Sequence, residues 1–432
     1  MKYALNELLA VTLLFALAAQ AQELPRGILT LANVRRQAKL DLARVPSFTC
    51  LETIDRLSRK AASSEWRVRD ALRVEVAHAG AKELYAWPGA PDFEERPLAE
   101  LVDVGMVSTG EFTSFARDAL IGSSAVLRYV GAEELRGRRM ARFDYEIGAA
   151  FSGLIVGNGR TRAQVAQRGS IWADEATFEL ALLAVNAVEI PESLGLELVG
   201  TEIEYQRVKI GPDDYLLPQR ATSRMKYTGG EEFRNEIEFT HCRQFGAQSV
   251  VSFSDDAPGS SGAAVTAARK PEEARIPAGL VIPVRLDTPL LSASAKIGDA
   301  VEALVESDVQ RKGTVVVPAG ARLTGRLRLM QRESGRFTVG LEFTGLAFGN
   351  KHARFLADLA KIDPRFARLV FESPATVGGQ SMDGAGTSYK ATRIEKSVSL
   401  PGVGTFFVPG AAFELPQGMR MEWVTVELHR AR

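Results

Sequence analysis

The 432-residue sequence is poor in the side chains that most often carry chemistry, with two cysteines and four histidines. Two cysteines exclude a disulfide scaffold and a four-thiolate zinc site. His78, His241, His352 and His429 are scattered, and none stands in a His-Glu-x-x-His spacing, so a zinc protease is unsupported. Net charge is missing too. The 53 Lys plus Arg balance 53 Asp plus Glu, which removes any general attraction towards nucleic acid or an anionic membrane. No Gly-x-Ser-x-Gly elbow occurs. Gly157-Asn158-Gly159 reads as a turn, because no Walker text follows it. Past the first twenty residues no apolar run nears the roughly 18 residues that a membrane-spanning helix needs. No cofactor, no metal and no reaction is indicated.

What is present begins with an address. Leu8 to Ala19 is apolar but too short for a stable anchor, and Ala19-Gln20-Ala21 supplies small residues where a leader is cut. Residues 1–21 are therefore read as a secretory signal peptide, with Gln22 the first mature residue. No cysteine follows, so a lipoprotein anchor is not expected. Export places Cys50 and Cys242 in an oxidising compartment, where such a pair forms a disulfide; the alternative is two unpaired thiols. The parity of the second strand counts against the bridge. Cys242 alternates with Glu236, Glu238 and Thr240, which puts it on the solvent side unless a bulge shifts the register.

The chain then reads as mainly β with a few helices. Ile28, Leu31, Val34, Ala38 and Leu42 recur at helical spacing, and Pro46 ends that segment. Phe48 to Arg59 and Leu72 to Trp87 read as extended, and Pro97 to Val104 and Phe112 to Ile121 as short helices. An antiparallel meander follows. Ala125 to Val130 and Met140 to Ile147 flank an expected turn over Gly131 to Arg138. Arg162 to Trp172, Phe178 to Val188, Leu196 to Ile210, Tyr215 to Tyr227 and Glu231 to Phe245 are further strands. Gly211-Pro212-Asp213-Asp214 and Gly229-Gly230 are turn text between them. Residues 251–274 are small, polar and without an aromatic after Phe253, which predicts a flexible linker. It divides the mature chain into domains at 22–250 and 275–432.

The second part repeats an x-Pro-x-Gly turn. Ile276-Pro277-Ala278-Gly279 matches Val317-Pro318-Ala319-Gly320, and Leu415-Pro416-Gln417-Gly418 is a weaker copy. Proline at the second position and glycine at the fourth suggest type I turns shared by hairpins of one barrel. Ala300 to Val305 and Phe337 to Phe348 alternate as half-buried strands. Glu372 to Thr387 reads as a loop, and Leu400 to Glu427 returns to strands.

Two family resemblances follow from local text. Gly131-Ala-Glu-Glu-Leu-Arg-Gly137-Arg opening a hairpin, and Ser170-Ile-Trp-Ala-Asp174 before Thr177, resemble the LolA/LolB-like lipoprotein-carrier superfamily. The resemblance implies an N-terminal helix on an antiparallel half-barrel, over roughly Pro25 to Phe245, whose concave face binds acyl chains. Ile276-Pro-Ala-Gly-Leu-Val-Ile-Pro-Val-Arg-Leu-Asp-Thr-Pro-Leu, then Gly298-Asp-Ala-Val-Glu-Ala, Ser307-Asp-Val and Val317 to Gly325, resemble the C-terminal β-barrel of TrbI-type conjugation and type IV secretion proteins. That likeness implies a module for assembly at the envelope, without the inner-membrane helix and proline-rich stalk of that family.

A curved sheet covered by one helix can leave an apolar concavity. Phe143, Tyr145, Trp172, Phe178 and Tyr205 are the candidates to line it. The leading expectation is a non-enzymatic, exported envelope protein that acts in assembly or interaction with an envelope protein partner. The alternative is a periplasmic carrier of lipid or lipoprotein acyl chains. A third is hydrolysis by a pair of facing carboxylates, which would need two acids with displaced pKa values in one cleft.

Overall fold

The computed structural model describes residues 26–60, 65–79, 82–90, 93, 98–102, 106–158, 161–245, 272–333, 335–369, 387–390 and 402–427. Residues 1–21, read above as a signal peptide, most of the expected linker and most of the 372–387 stretch lie outside them.

Helix α1 is Arg26–Arg44, with Val34, Ala38 and Asp41 buried on one face. The strands that follow are β1 (Phe48–Arg59), β2 (Arg67–Ala79) and β3 (Lys82–Ala86). Next come the short helices α2 (Leu98–Leu101) and α3 (Ser114–Ala116), the latter running into a π turn at Arg117–Ile121. Strands β4 (Val126–Leu135), β5 (Arg138–Ile147), β6 (Leu154–Gly157), β7 (Arg162–Gln164), β8 (Ala166–Asp174), β9 (Leu180–Val188), β10 (Leu196–Ile210), β11 (Asp213–Tyr227) and β12 (Glu232–Gln244) complete the first part. Ten of them form a curled half-barrel sheet in the order β3-β2-β1-β12-β11-β10-β9-β8-β5-β4.

Several boundaries differ from the sequence reading, each for a local reason. The β4–β5 turn is two residues, Arg136 and Gly137, both with positive φ, and not the Gly131 to Arg138 stretch. Gly131 instead sits at a register shift inside β4. Phe178 lies in a turn at φ 61° before β9 begins. That turn closes on Asp174, whose Oδ1 accepts the N–H groups of Ala176 and Thr177. Helix α2 is one turn, and the helical part of 112–121 starts at Ser114.

Pairing of β1 with β12 brings the first and last strands of this part, in chain order, side by side and joins Cys50 to Cys242 across 192 residues. The register shifts between Thr49 and Leu51, and His241 sits at φ 51°. A bulge thus resolves the parity conflict, and Cys50 is fully buried. Register also fixes the core. Leu72, Ile54, Ile237, Ala221, Ile203, Leu183, Ile171, Phe143 and Tyr129 pair in succession across nine strands. Because side chains alternate faces, one such row drags its neighbours two residues away onto the same concave side.

The second part comprises β13 (Glu272–Glu273), β14 (Val281–Leu286), β15 (Leu290–Leu291), β16 (Ala300–Val305), β17 (Val309–Arg311), β18 (Thr314–Val317), β19 (Arg322–Glu333), β20 (Arg336–Phe348), β21 (Lys351–Arg354), β22 (Ala357–Ile362), β23 (Arg368–Leu369), β24 (Thr387–Lys390), β25 (Val403–Pro409), β26 (Glu414–Leu415) and β27 (Arg420–Thr425). Glu272 and Glu273, expected as linker, pair in parallel with Lys351 and His352. The main sheet runs β13-β21-β20-β19-β16-β14-β27-β22, with β25 also on β20. It curls until β25 meets β22. A Cβ at Gly404 would stand 2.5 Å from Leu359 Cβ and from the Trp423 ring, so the barrel-like closure needs glycine there. Trp423 is fully buried and meets Phe343 edge-on at 5.2 Å.

The three x-Pro-x-Gly copies are equivalent turns. Gly279, Gly320 and Gly418 have φ 79°, 78° and 86°. Their N–H groups donate to Thr425, Val305 and Leu286, each near the end of a neighbouring strand, at 2.7 to 2.8 Å. Ala321 and Met419 donate back to Pro318 and Pro416, so proline opens the turn and glycine is its third residue. A positive φ there is the type II geometry rather than the expected type I.

The two parts touch along β2. Ile297 donates to Ala71 O at 2.8 Å and accepts from Arg73 N at 2.7 Å, a parallel bridge on the stretch of β2 that β3 leaves uncovered. Arg73–Asp299 and Lys296–Asp55 ion pairs, at 2.6 and 2.8 Å, flank it. Among the described residues no helix is long and apolar enough to cross a membrane.

Candidate functional site

The five aromatic residues proposed to line the concavity do not share one surface. Phe143, Tyr145 and Tyr205 are buried on the concave side, Phe143 and Tyr145 fully. Trp172 pairs with Arg142, one residue out of phase with the Phe143–Ile171 pair, so it projects from the convex side. There its Nε1–H donates to Glu133 at 3.0 Å and the Arg142 guanidinium lies over its ring at 5.2 Å. Arg142 Nη1 also donates to Glu133 at 2.9 Å, and the bonds from Trp172 first and Arg142 second hold the Glu133 carboxyl below its ordinary pKa. Phe178 packs at the margin of the core from its turn. Room for Tyr145 comes from Gly169, where a Cβ would stand 2.6 Å from the tyrosine ring.

The concavity itself is occupied. Residues 106–121 cross the concave face, and Ser108, Glu111, Phe112, Thr113 and Phe115 are buried there. Phe112 wedges between Phe48 and Phe239, with ring centroids 5.3 and 4.7 Å away. Full burial of such a side chain is worth roughly 1.5–3 kcal/mol.

Polar anchors tie the segment down. On the concave side of five consecutive strands, Asp70, Arg56, Asn235, Ser223 and Thr201 pair in register and are all buried. Arg56 and Asp70 form a two-pronged ion pair at 2.5 and 2.9 Å. Asn235 Nδ2 donates to Met106 O at 2.9 Å, and Ser223 Oγ lies 3.0 Å from Ser108 Oγ and 2.8 Å from Thr201 Oγ1. Tyr205 donates its hydroxyl to Glu111 O.

Above this row sits a group of acids. Glu83 accepts the N–H of Gly110 at 2.8 Å, the N–H of Phe112 at 3.3 Å and the Tyr85 hydroxyl at 2.9 Å. Gly110 adopts φ 99°, which a side chain rarely tolerates, to present that amide. Glu52 projects from β1 between Cys50 and Ile54. Glu52 Oε1 and Glu111 Oε1 are buried without a hydrogen-bond partner. Burial pushes all three carboxyls up. Glu52 rises well above its usual value, with Glu111 and Glu83 adding repulsion. Glu111 rises to about 7, burial first and Glu83 second. Glu83 is raised by burial, against the bonds it accepts. His78 is pushed down by burial and then by Arg117, and its Nε2 lies 3.3 Å from Thr113 Oγ1. Chemically, burial favours the neutral form of all three carboxyls inside a packed interior. No group of three or more His, Cys, Asp or Glu able to hold a metal ion occurs among the described residues.

Parity could have found these residues. Glu52, Asn235, Ser223 and Thr201 each interrupt an apolar alternation at a core-facing position.

No protein-family model matches the sequence, and no curated protein matches it. Among solved structures the chain is similar to a LolA superfamily protein from Nitrosomonas europaea, at 10% identity and TM-score 0.26, covering 50% of this chain and 94% of that one. It is similar to a DUF1329 family protein from Desulfovibrio piger, at 12% identity and TM-score 0.28, covering 54% and 96%. It is similar also to the complex of MucA and MucB from Pseudomonas aeruginosa, at 14% identity and TM-score 0.17, covering 75% and 90%.

Proposed function

We propose that this chain is an exported envelope protein that works by binding rather than catalysis, with the interior of its first sheet closed by its own residues. The observation that carries the reading is the segment 106–121. It fills the concave face and is tied to Glu83, Tyr205, Asn235 and Ser223. A face filled in this way leaves the outer surfaces for an envelope protein partner, as an assembly or interaction module requires. Export is supported by the leader-like text of residues 1–21 and by the Cys50–Cys242 bridge, a bond that persists in oxidising compartments. The TrbI-type likeness of residues 276–325 belongs to the same proposal, as a β-barrel module used in envelope assembly.

The raised carboxyls are the place to look for hydrolysis. A general acid must reach its substrate within hydrogen-bond distance. Glu52 is sealed under the segment, Glu111 is buried within it, and Glu83 is engaged by backbone amides and Tyr85. That burial supports the non-catalytic reading.

A second reading is favoured by one feature. The segment lies over the apolar row through Ile54, Ile203 and Phe143, so its departure would open a face suited to acyl chains. The Ser108 and Ser223 side chains are close enough to be joined, which separates the two readings. In a Ser108→Cys/Ser223→Cys protein, oxidation locks the segment onto β11. Under the interaction reading the locked protein recovers the same partner from envelope fractions as the wild type. Native mass spectrometry of membrane-purified wild type then shows no acyl species. An acyl species bound by the wild type and lost on locking would replace interaction with carriage.

A further inference from the structure

A pocket of about 420 Å3 opens where β1, β10, β11 and β12 end, beside Trp66. It is lined by four cations, Arg59, Arg224, Lys226 and Arg234, and by the carboxylate of Glu232. The chain as a whole carries no net charge, so this is a local concentration. Trp66 is clasped between two guanidinium groups, those of Arg59 and Arg234, each 4.6 Å from its ring centroid. Leu198 supplies apolar wall.

Two details set the pocket apart from a solvated basic surface. Arg224 and Arg234 stand directly opposite each other on paired strands, an arrangement that repulsion disfavours. Among the described residues no carboxylate lies within ion-pair distance of Arg224, while Arg59, Lys226 and Arg234 have Glu232, Glu197 and Glu236. In addition, Arg234 Nε is buried without an acceptor. Stacking on Trp66 holds two of the cations in place before anything binds, so little side-chain entropy remains to be lost.

We infer that this pocket binds a small amphiphilic anion, a phosphate or carboxylate joined to an apolar stem. The anionic group would sit between Arg224 and Arg234, and the stem would lie on Trp66 and Leu198. The site is on the far side of the sheet from segment 106–121, and the inference does not depend on what the concave face does.

The test uses the full mature chain and octyl phosphate below its micellar concentration, followed by calorimetry and by tryptophan fluorescence. The expected result is saturable binding that weakens with added salt. Arg224→Glu should weaken it by about tenfold or more, since a hydrogen bond to a charged group contributes roughly 1.5–3 kcal/mol. Arg224 is exposed, so this variant should keep the wild-type melting curve. Trp66→Leu should weaken binding of octyl phosphate more than binding of inorganic phosphate, because it removes the apolar wall as well as the stacking surface of Arg234. Vesicles distinguish the source of the anion. Retention on phosphatidylglycerol but not phosphatidylcholine vesicles assigns a lipid headgroup, and binding of the monomer alone assigns a soluble ligand. Equal binding of octyl glucoside, an unchanged affinity in Arg224→Glu, or no binding at millimolar octyl phosphate overturns the inference.

Discussion

The two sheets bury different interiors. Inside the barrel-like second part, Trp423, Phe343, Phe406, Val339 and Ile282 make an apolar core, and Thr338, Asp363 and Thr425 are its buried polar residues among those described. Inside the first part, Glu52, Arg56, Asp70, His78, Glu111, Ser223 and Asn235 lie under the packing surface. An apolar interior holds its shape by area and volume, indifferent to pH. An interior laced with acids and hydrogen bonds is held by directional contacts that fail together once one partner is charged or removed. The difference predicts that the first part responds to redox state and to pH near neutrality, while the second responds only in acid, where Asp363 is protonated.

The largest expected effect breaks the comparison at the disulfide. Replacing Cys50 and Cys242 by alanine should cost the first part up to roughly 5 kcal/mol, the chain-entropy value for so long a loop. Differential scanning calorimetry should show one transition moving down and one staying in place. A joint shift of both transitions would mean the two parts unfold as one. Next comes the buried ion pair. Arg56→Met should cost about 3–5 kcal/mol because Asp70 is left charged and enclosed, whereas Arg56→Met/Asp70→Leu should recover most of that loss. Urea unfolding of both variants checks it.

The pH effect is third. Glu111 has a folded pKa of about 7 against an ordinary 4.5, so the folded state binds more protons between those values. Its share of stability is complete below about pH 4.5 and is lost as pH rises through about 7, on the order of 3 kcal/mol. Glu52 and Glu83 carry the same sign. His78 carries the opposite one, losing stability as pH falls through its unfolded value of 6.5. Glu111→Gln, which keeps the neutral form, should flatten the decline between about pH 5 and pH 8 in urea titrations. The smallest effect sits in the second part. A Cβ at Gly320 meets nothing within 4 Å, so Gly320→Ala should cost only the strain of its positive φ, about 1–2 kcal/mol, with no pH dependence.

How far these features were legible depends on whether they are local. Alternation located the long strands, since period-two text such as Phe337, Val339, Leu341 and Phe343 has one structural reading. The cysteine pairing and the helix from Arg26 also follow from local text and compartment. The occupied concavity does not. Whether a curved sheet is open or filled depends on where 106–121 returns, and that is fixed by contacts such as Ser108–Ser223 and Tyr205–Glu111, about a hundred residues apart in sequence. Trp172, among the aromatics expected to line the concavity, faces outward for a related reason. Parity within a strand separates Trp172 from Ile171, but only the pairing with Phe143 says which of them faces inward. The acids were overlooked because an isolated glutamate in a strand normally faces water.

The parallel bridge that Ile297 makes to Ala71 and Arg73 has a further bearing on self-association. Strand β2 would otherwise present unsatisfied amides and carbonyls along its outer margin, the kind of template on which foreign chains add and fibrils start. Ile297, Gly298 and Asp299 seal that margin from a distant stretch of the same polypeptide. A fragment ending near residue 245 would lose this guard, and its first failure would be self-association rather than unfolding.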